Sequence, residues 1–212
     1  MKIVLATGNS NKINEIKEIL SGLDITFLTL KDYPDVPSII EDGKSYIENA
    51  AKKAKHVARY TGEIALADDS GLEVDFLGNG RPGIYSARFA GDNAADSDNI
   101  KKMLSLMSGL TEDKRKARFV CVIVLSLPSG EIIKTAEGRC EGIIAESEQG
   151  THGFGYDPIF CPQLEKYRQK PDKTFAELSS SIKNKISHRA RALDNIKHYL
   201  SQCINLKKVR EL

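Results

Sequence analysis

The segment Lys2-Ile3-Val4-Leu5-Ala6-Thr7-Gly8-Asn9-Ser10-Asn11-Lys12 decides the fold class. Its first five residues form an apolar run that predicts a buried strand, and the next six form a polar turn. Apolar residues then recur at helical spacing, at positions 13, 16, 19 and 20, before Gly22, which is suited to end a helix. Residues 25–30 predict a second strand. This β-loop-α-β order is typical of α/β proteins.

The polar turn at residues 7–12 lies where the predicted strand becomes a helix. N–H groups at a helix N-terminus attract anions, glycine lets a phosphate approach closely, and a lysine adds positive charge. The segment does not match the Walker pattern GxxxxGK[ST], and it is too short for GxGxxG. Taken alone, it fits either a phosphate site or an ordinary capped turn.

A second apolar run, Ile64-Ala65-Leu66-Ala67, continues directly into Asp68-Asp69-Ser70-Gly71. Adjacent carboxylates at the end of a buried strand are unfavourable unless a cation or hydrogen-bond donors compensate their charge. Carboxylate oxygens are the ligands that Mg²⁺ prefers, and a metal beside a carboxylate suggests hydrolytic or phosphoryl chemistry. The alternative is an Asp-Asp-Ser-Gly turn that caps the strand.

Glu41-Asp42-Gly43 precedes a second predicted helix at residues 45–60. Acids near a helix N-terminus are expected from the helix dipole, which accounts for Asp42. For Glu48 the helix dipole and a place among the metal ligands are equally good explanations. Glu41 is the better candidate for a metal ligand, because an acid at a loop–helix junction can face a cleft while Asp69 approaches from a strand end.

The loop Gly153-Phe154-Gly155-Tyr156-Asp157-Pro158 suits a flat nucleobase. Two glycines around an aromatic residue leave backbone exposed beside a ring, so stacking and backbone hydrogen bonds are both available. Asp157 precedes a proline, which favours an extended backbone and a presented carboxylate. A loop tip that packs on its own phenylalanine is the alternative.

The segment Ser187-His188-Arg189-Ala190-Arg191 is predicted to begin a final helix that ends near residue 200, with a fraying tail at 205–212. His188 and Arg189 can donate hydrogen bonds to a base carbonyl or a phosphate. His188 could instead be a satisfied surface residue, and a solvated face, or the phosphate-tracking face of a nucleic-acid-binding module, could be formed by Lys183, Lys185, Arg189 and Arg191.

The remaining elements are predicted from periodicity and turn chemistry. A helix is expected at residues 96–107, a loop around 78–83, and a hairpin of strands 118–127 and 131–139 that turns at Pro128-Ser129-Gly130. Residues 141–145 predict a further short strand.

Composition narrows the class of function. The 212 residues include 31 basic and 29 acidic side chains, and a net charge of +2 lacks the basic excess of dedicated nucleic-acid binders. No apolar run approaches membrane-spanning length, and no secretory leader is evident. The four cysteines show no metal-ligand spacing, and Cys121 lies in an apolar run that predicts a buried thiol. A cytoplasmic protein is expected.

Six segments, in register along residues 2–200, together resemble one family. They are Thr7-Gly8-Asn9 with Lys12, Glu41 with Gly43, Ala67-Asp68-Asp69-Ser70-Gly71-Leu72, Pro82-Gly83-Ile84-Tyr85-Ser86-Ala87-Arg88-Phe89, Gly153-Phe154-Gly155-Tyr156-Asp157-Pro158, and Ser187-His188-Arg189. The family is that of the Ham1-like non-canonical purine nucleoside triphosphate pyrophosphatases, also called inosine triphosphatases or dITP/XTP pyrophosphatases. The chain departs from its pattern at Ser10-Asn11 and at His152.

The resemblance implies a fold and a reaction. The fold would be α/β, a two-lobed chain around a long mixed sheet with flanking helices and an active-site cleft between the lobes. Residues 1–200 would form one domain, followed by a tail at 201–212, and the protein would be a homodimer. With Mg²⁺ it would cleave the α–β phosphoanhydride of ITP, dITP, XTP or dXTP, giving a monophosphate and pyrophosphate and removing deaminated purines from the nucleotide pool. A Maf-like pyrophosphatase acting on pyrimidine triphosphates is the nearer alternative.

The resemblance also implies residue roles. Glu41 and Asp69 would bind the metal, and Asp69 would accept a proton from the attacking water. The substrate would be bound by Thr7, Gly8, Asn9, Ser10, Asn11, Lys12, Ser70, Phe154, Gly155, Tyr156, Asp157, Lys183, His188 and Arg189, with Lys53 and Arg88 as weaker correspondences. Neither nucleic acid nor a membrane is an expected partner.

Overall fold

The computed structural model describes residues 1–163 and 173–210. Its strands are β1 (Lys2–Leu5), β2 (Thr26–Thr29), β3 (Ile64–Val74), β4 (Lys116–Ser126), β5 (Ile132–Ile144) and β6 (Phe160–Pro162). Its helices are α1 (Ser10–Ile19), α2 (Tyr46–Thr61), α3 (Asp96–Leu106), α4 (Ser180–Ile186) and α5 (His188–Arg210).

Within these described ranges the strands form one mixed sheet in the order β2-β1-β3-β4-β5-β6. Strand β1 pairs in parallel with both β2 and β3, whereas β6 runs antiparallel to β5. The predicted α/β class, with a mixed sheet and flanking helices, is confirmed.

The chain divides into two compact units that interleave along the sequence. Unit 1 comprises Met1–Asp69, Cys121–Gly138 and Arg189–Leu212, and unit 2 comprises Ser70–Val120 and Arg139–His188. Strands β3, β4 and β5 therefore each contribute residues to both units.

The core of unit 1 has two halves because side chains alternate between the faces of a strand. Ile3 and Leu66 pack with residues of α1 and α5, in a cluster that also includes Cys121, so the predicted burial of this thiol is confirmed. Val4 and Ala65 belong to the opposite cluster, which contains Ala50, Ala54, Val57 and Ala58 from α2.

The core of unit 2 is rich in aromatic side chains. The ring centroids of Phe119 and Phe160 lie 4.6 Å apart in an edge-on arrangement, and those of Phe160 and Phe175 lie 5.2 Å apart. Ile100 and Met103 bring the inner face of α3 into the same cluster. This packing holds α3 against the core of unit 2.

The described elements differ from the sequence-based expectations at three points. Strand β3 continues through Asp68-Asp69-Ser70-Gly71 without a turn, and β5 merges the two strands predicted at 131–139 and 141–145. Helix α5 extends to Arg210 rather than ending near residue 200, so residues 205–210 of the predicted fraying tail are helical. Strand β6 and helix α4 had no counterpart in the predictions. Residues 211 and 212 lie outside the described residues.

A glycine is required at position 71 of β3 for a steric reason. A Cβ atom built on Gly71 would lie 2.1 Å from the carbonyl oxygen of Gly83, so no side chain fits at this position of β3. Ser86 closes the same contact, since its Oγ accepts a hydrogen bond from the Leu72 N–H at 2.8 Å and donates to the Gly83 carbonyl at 2.6 Å.

Across the described residues, none of the helices combines the length and the apolar character required to cross a membrane.

Candidate functional site

Strand alternation places the two aspartates of β3 in different surroundings. Asp68 has the parity of Leu66 and lies on the face that packs against α1 and α5, whereas Asp69 has the parity of Ala67 and lies on the face of α2. Both carboxylates are buried. Each is in direct contact with different basic side chains, and this compensation explains why an apolar strand can carry both.

Asp68 is held by a lysine and an arginine. Lys12 Nζ lies 3.0 Å from Asp68 Oδ1, and Arg189 donates from Nη2 at 2.9 Å and from Nε at 3.1 Å to Asp68 Oδ2. The third arm of the guanidinium binds Glu15. Burial raises the pKa of Asp68, but attraction to Lys12, Arg189 and Lys53 outweighs it, so the pKa lies well below its ordinary value. Asp68 is therefore ionised at neutral pH.

Asp69 shares one cation with Glu41. Lys53 Nζ lies 2.9 Å from Asp69 Oδ1 and 3.1 Å from Glu41 Oε2. Burial, with a smaller contribution from Glu41, raises the pKa of Asp69 to about 6, although Lys53 and Lys12 oppose the shift. The same carboxylates raise the pKa of Lys53 against the effect of its burial. We call Glu41, Asp68 and Asp69 the carboxylate cluster.

A buried amide links Asp69 to the segment that carries Glu41. Asn49 Oδ1 accepts the Gly43 N–H at 2.8 Å, and Asn49 Nδ2 lies 3.4 Å from Asp69 Oδ2. A Cβ atom on Gly43 would lie 2.5 Å from Asn49 Oδ1, so a glycine is required there. Glu41 and Asp69, far apart in sequence, are thus drawn to one point by Asn49 and Lys53 from α2.

Within the carboxylate cluster, Glu41 and Asp69 are the two carboxylates that could bind a metal together. In the described part of the chain, no group of three or more His, Cys, Asp or Glu side chains is arranged as a cage for a metal. Mg²⁺ is commonly bound by one or two protein carboxylates together with substrate phosphates and water. Two carboxylates on one ammonium fit that smaller donor set, and the metal-ligand roles of Glu41 and Asp69 stay predictions.

The N-terminus of α1 is capped by Asn9. Its Oδ1 accepts the N–H groups of Asn11 at 2.9 Å and Lys12 at 3.1 Å, while Thr7 Oγ1 accepts the Asn9 N–H at 3.2 Å. In the described residues, the N–H groups of Gly8 and Ser10 have no hydrogen-bond acceptor, and a Cβ atom on Gly8 would meet nothing within 4 Å. The segment is therefore a capped turn that also leaves two donors and open space for an anion.

The other acids near α2 have structural partners. Glu48 Oε2 accepts the Lys44 N–H at 2.8 Å in the first turn of the helix, and Asp42 pairs with Lys52 at the surface. The helix-start explanation therefore accounts for both residues. Ser70 follows Asp69 in β3 and is half-buried.

In unit 2, the glycine loop, defined here as residues 153–157, folds back on itself. Asp157 lies in a 3₁₀ turn, Asp157–Ile159, and its Oδ2 accepts the Phe154 N–H at 3.0 Å. The predicted extended backbone and presented carboxylate were wrong, because Asp157 is buried and also binds the Lys183 ammonium. Gly155 N–H donates to Asp96 Oδ2 at 2.7 Å, so both of these loop N–H groups are engaged within the protein.

Lys183 and His188 each contact an aromatic ring. Lys183 Nζ lies 4.8 Å from the ring centroid of Phe154, and its side chain is buried. The imidazole of His188 stacks on Phe119 with centroids 4.6 Å apart and an interplanar angle of 11°. Phe154 itself is only half-buried, so part of its ring can contact a ligand. Tyr156 is turned inward, since its hydroxyl donates to the Ser86 carbonyl at 2.9 Å.

The basic segment near residue 188 is not a solvated face. Lys183 and Arg189 are buried and paired with aspartates, whereas Lys185 and Arg191 are exposed. Two of the four proposed phosphate-tracking cations are therefore unavailable to a nucleic acid. Arg88, another expected contact, lies 4.9 Å over the ring of Tyr85.

Sequence reasoning overlooked Asn49, Glu15 and Asp96, and it gave Lys53 too little weight. Asn49 and Lys53 occupy helical spacing with Ala50, Ala54 and Val57, so two polar residues on an apolar helix face were the available signal. Glu15 and Asp96 lie on helices of mixed composition, and no local pattern distinguishes them from surface acids.

Comparisons with known proteins identify the chain's relatives. The sequence profile of the Ham1 family matches residues 3–199. A dITP/XTP pyrophosphatase of Desulforamulus reducens is 48% identical over 202 residues, covering 95% of this chain and 96% of its own length. The dITP/XTP pyrophosphatase of Bacillus subtilis is 46% identical over 197 residues, covering 93% of this chain and 96% of its own length. The structure of a HAM1 protein from Coxiella burnetii superposes with a TM-score of 0.83 at 41% identity, covering 95% of this chain and 99% of that one.

Proposed function

The chain belongs to the Ham1 family, and on that premise we propose that it hydrolyses non-canonical purine nucleoside triphosphates. The substrates would be ITP, dITP, XTP and dXTP, cleaved between the α and β phosphorus atoms to a monophosphate and pyrophosphate. Such a reaction removes deaminated purines from the nucleotide pool. The names of the relatives, dITP/XTP pyrophosphatase, support this choice over the pyrimidine-specific alternative.

One observation carries the proposal: the Glu41 and Asp69 carboxylates meet at a single positive charge. Lys53 Nζ lies 2.9 Å from Asp69 and 3.1 Å from Glu41, so the two carboxylates share one cation, which supports a cation site there. Carboxylate oxygens are the donors that Mg²⁺ selects, so Glu41 and Asp69 would hold the ion. When bound, Mg²⁺ would neutralise phosphate charge and lower the pKa of a bound water.

The phosphate chain would be bound at the start of α1. Among the described residues no acceptor contacts the N–H groups of Gly8 and Ser10, and helix N-termini favour anions. Lys12 adds a cation whose position is set by its 3.0 Å contact with Asp68. Because Asp68 stays ionised, it orients the Lys12 ammonium without taking part in proton transfer.

Asp69 would accept the proton of the attacking water. A general base works best when its pKa lies near the working pH, and burial raises the pKa of this carboxyl to about 6. Lys53 and Asn49 hold the carboxylate in one orientation. The adjacent Asp68 is too weak a base for this role, which explains why only one of the two aspartates is assigned to catalysis.

The glycine loop of unit 2 would bind the base. The half-buried ring of Phe154, held by the Lys183–Asp157 pair, offers a stacking surface. A 6-oxopurine presents an acceptor where adenine presents an amino donor, so a donor such as His188 would accept the first and leave an unsatisfied contact with the second. Exclusion of guanine would require crowding at its 2-amino group.

The test is a substrate panel with product identification. Purified protein with Mg²⁺ is assayed against ITP, dITP, XTP, dXTP, ATP, GTP, UTP and dTTP, and pyrophosphate and orthophosphate are measured separately. The proposal expects pyrophosphate from the first four and little turnover of the others. Orthophosphate as the product would overturn the α–β assignment, and preference for UTP or dTTP would favour the Maf-like alternative. The same assay with EDTA tests the metal requirement.

A further inference from the structure

The glycine loop depends on side-chain acceptors for its shape. Gly153 and Gly155 have φ values of 78° and 60°, in the left-handed region, and neither residue lies in a strand. A Cβ atom on Gly153 would lie 2.0 Å from Asp157 Oδ2, so the loop is wound tightly around that carboxylate. The consecutive N–H groups of Phe154 and Gly155 each donate to an aspartate.

These two aspartates differ in origin. Asp157 belongs to the loop itself, whereas Asp96 is the first residue of α3, 59 positions earlier in the sequence. The 2.7 Å contact from Gly155 N to Asp96 Oδ2 therefore ties the loop to a separate element. A carboxylate acceptor makes the hydrogen bond stronger than a neutral one.

The N-terminal end of α3, which begins at Asp96, is itself held in place. Asn99, one turn later, accepts the Ala90 N–H at 2.8 Å and donates to the Ala87 carbonyl at 3.1 Å, and it is buried. Ile100 packs in the core of unit 2. Asp96 thus extends from a rigid support.

A second hydrogen bond, from Tyr156 on the C-terminal side of Gly155, also connects the loop to α3 through an intervening segment. The Tyr156 hydroxyl donates to the carbonyl of Ser86, the residue before Ala87, which Asn99 holds. Gly155 and Tyr156 are therefore both attached, directly or through the segment 86–90, to the first turn of α3. Phe154, which precedes them, takes its position from these attachments.

We infer that Asp96 is a positioning residue for the nucleobase, acting through the Gly155 N–H on the loop that presents the Phe154 ring. The inference rests on the proposed function, because it assigns Asp96 to the binding of the same substrate. A loop held before binding loses less conformational freedom when the ligand arrives. Loss of the Asp96 acceptor should therefore raise KM and leave kcat nearly unchanged.

The chain provides a matched control on the same helix turn. Asp98 is also exposed, also carries negative charge near the N-terminus of α3, and accepts the Ala95 N–H at 3.0 Å. Asp98→Ala removes a helix-start carboxylate without touching the loop. Asp96→Asn retains an oxygen that can accept the Gly155 N–H, so it serves as the conservative variant.

The first measurement needs no substrate. Hydrogen–deuterium exchange of nucleotide-free protein should show faster exchange at residues 153–157 in Asp96→Ala, and near wild-type exchange there in Asp96→Asn and Asp98→Ala. Unchanged exchange in Asp96→Ala, or an equal increase in Asp98→Ala, would overturn the inference. This readout separates a loop tie from a general effect on α3.

The second measurement is steady-state kinetics with ITP. Asp96→Ala should raise KM by about five- to tenfold with kcat within about twofold, and Asp96→Asn should restore most of the loss. A fall in kcat with KM unchanged would contradict positioning of the base. If the wild-type protein hydrolyses neither ITP nor XTP, the proposed function fails by itself, and exchange at the loop still decides whether Asp96 holds it.

Discussion

Asp68 and Asp69 are neighbours in β3, yet their carboxyl pKa values move in opposite directions. Both are buried, which raises the pKa of each, but Asp68 is contacted by Lys12 and Arg189, whereas Asp69 shares Lys53 with Glu41. The pKa of Asp68 falls well below normal and that of Asp69 rises to about 6. One residue step along a strand therefore separates a fixed anion from a base that can exchange a proton near neutral pH.

Asp69→Asn is expected to abolish most of the activity while the protein remains folded. The amide cannot accept a proton from water and binds a cation poorly, so kcat for ITP should fall by about 10²- to 10⁴-fold. Pyrophosphate release is the measurement. Asp42→Asn is the control, because Asp42 pairs with Lys52 at the surface and should retain wild-type activity.

Asp68→Asn is expected to reduce stability strongly. It leaves the Lys12 ammonium and the buried Arg189 guanidinium without their shared carboxylate, a change that typically costs about 3–5 kcal/mol. Urea unfolding of the nucleotide-free protein measures the loss. A free energy of unfolding equal to that of wild type would mean that these contacts contribute little.

Asp68 should also cause part of the loss of folding stability at low pH. The folded-state pKa of Asp68 lies below the ordinary value of 3.8, so between these two values the unfolded chain binds more protons than the folded one. The stabilisation is present in full above pH 3.8 and is lost as the pH falls below it. Wild type should lose more stability than Asp68→Asn between pH 5 and pH 3. Parallel pH profiles would argue against the ion pair as the cause.

Gly71→Ala should disturb the fold of unit 2. Its methyl group would lie 2.1 Å from the Gly83 carbonyl oxygen, which is a backbone atom and cannot rotate away. We expect a loss of about 3 kcal/mol, at the upper end of the range for overpacking, measured by thermal unfolding. A variant as stable as wild type would show that the two segments can separate without penalty.

Gly8→Ala, unlike Gly71→Ala, should leave stability unchanged and weaken substrate binding. A Cβ atom at Gly8 meets no atom within 4 Å, so the melting temperature should not change. If a phosphate approaches this backbone, the methyl group will obstruct it and raise KM by about tenfold. Unchanged kinetics would exclude a close phosphate contact at Gly8.

Much of the fold follows from local pattern. The apolar run at residues 2–6 became β1, the helical spacing after it became α1, and Ser45 caps α2 through its contact with the Glu48 N–H. By contrast, the β3 residues 68–71 have the composition of a turn. They form a strand because Lys12, Lys53 and Arg189 neutralise the aspartates, and these cations come from other elements.

Some features of the candidate site likewise follow from local sequence, and others depend on tertiary packing. The order of residues alone specifies the class of fold, the polar turn at residues 7–12, and the types of side chain that can bind phosphate and metal, because these depend on neighbours in sequence. The tertiary structure alone decides that Lys53 joins Glu41 to Asp69 and that Asp96 reaches Gly155. Contacts across 12 to 59 positions depend on how helices pack on the strands, and no local pattern encodes that distance.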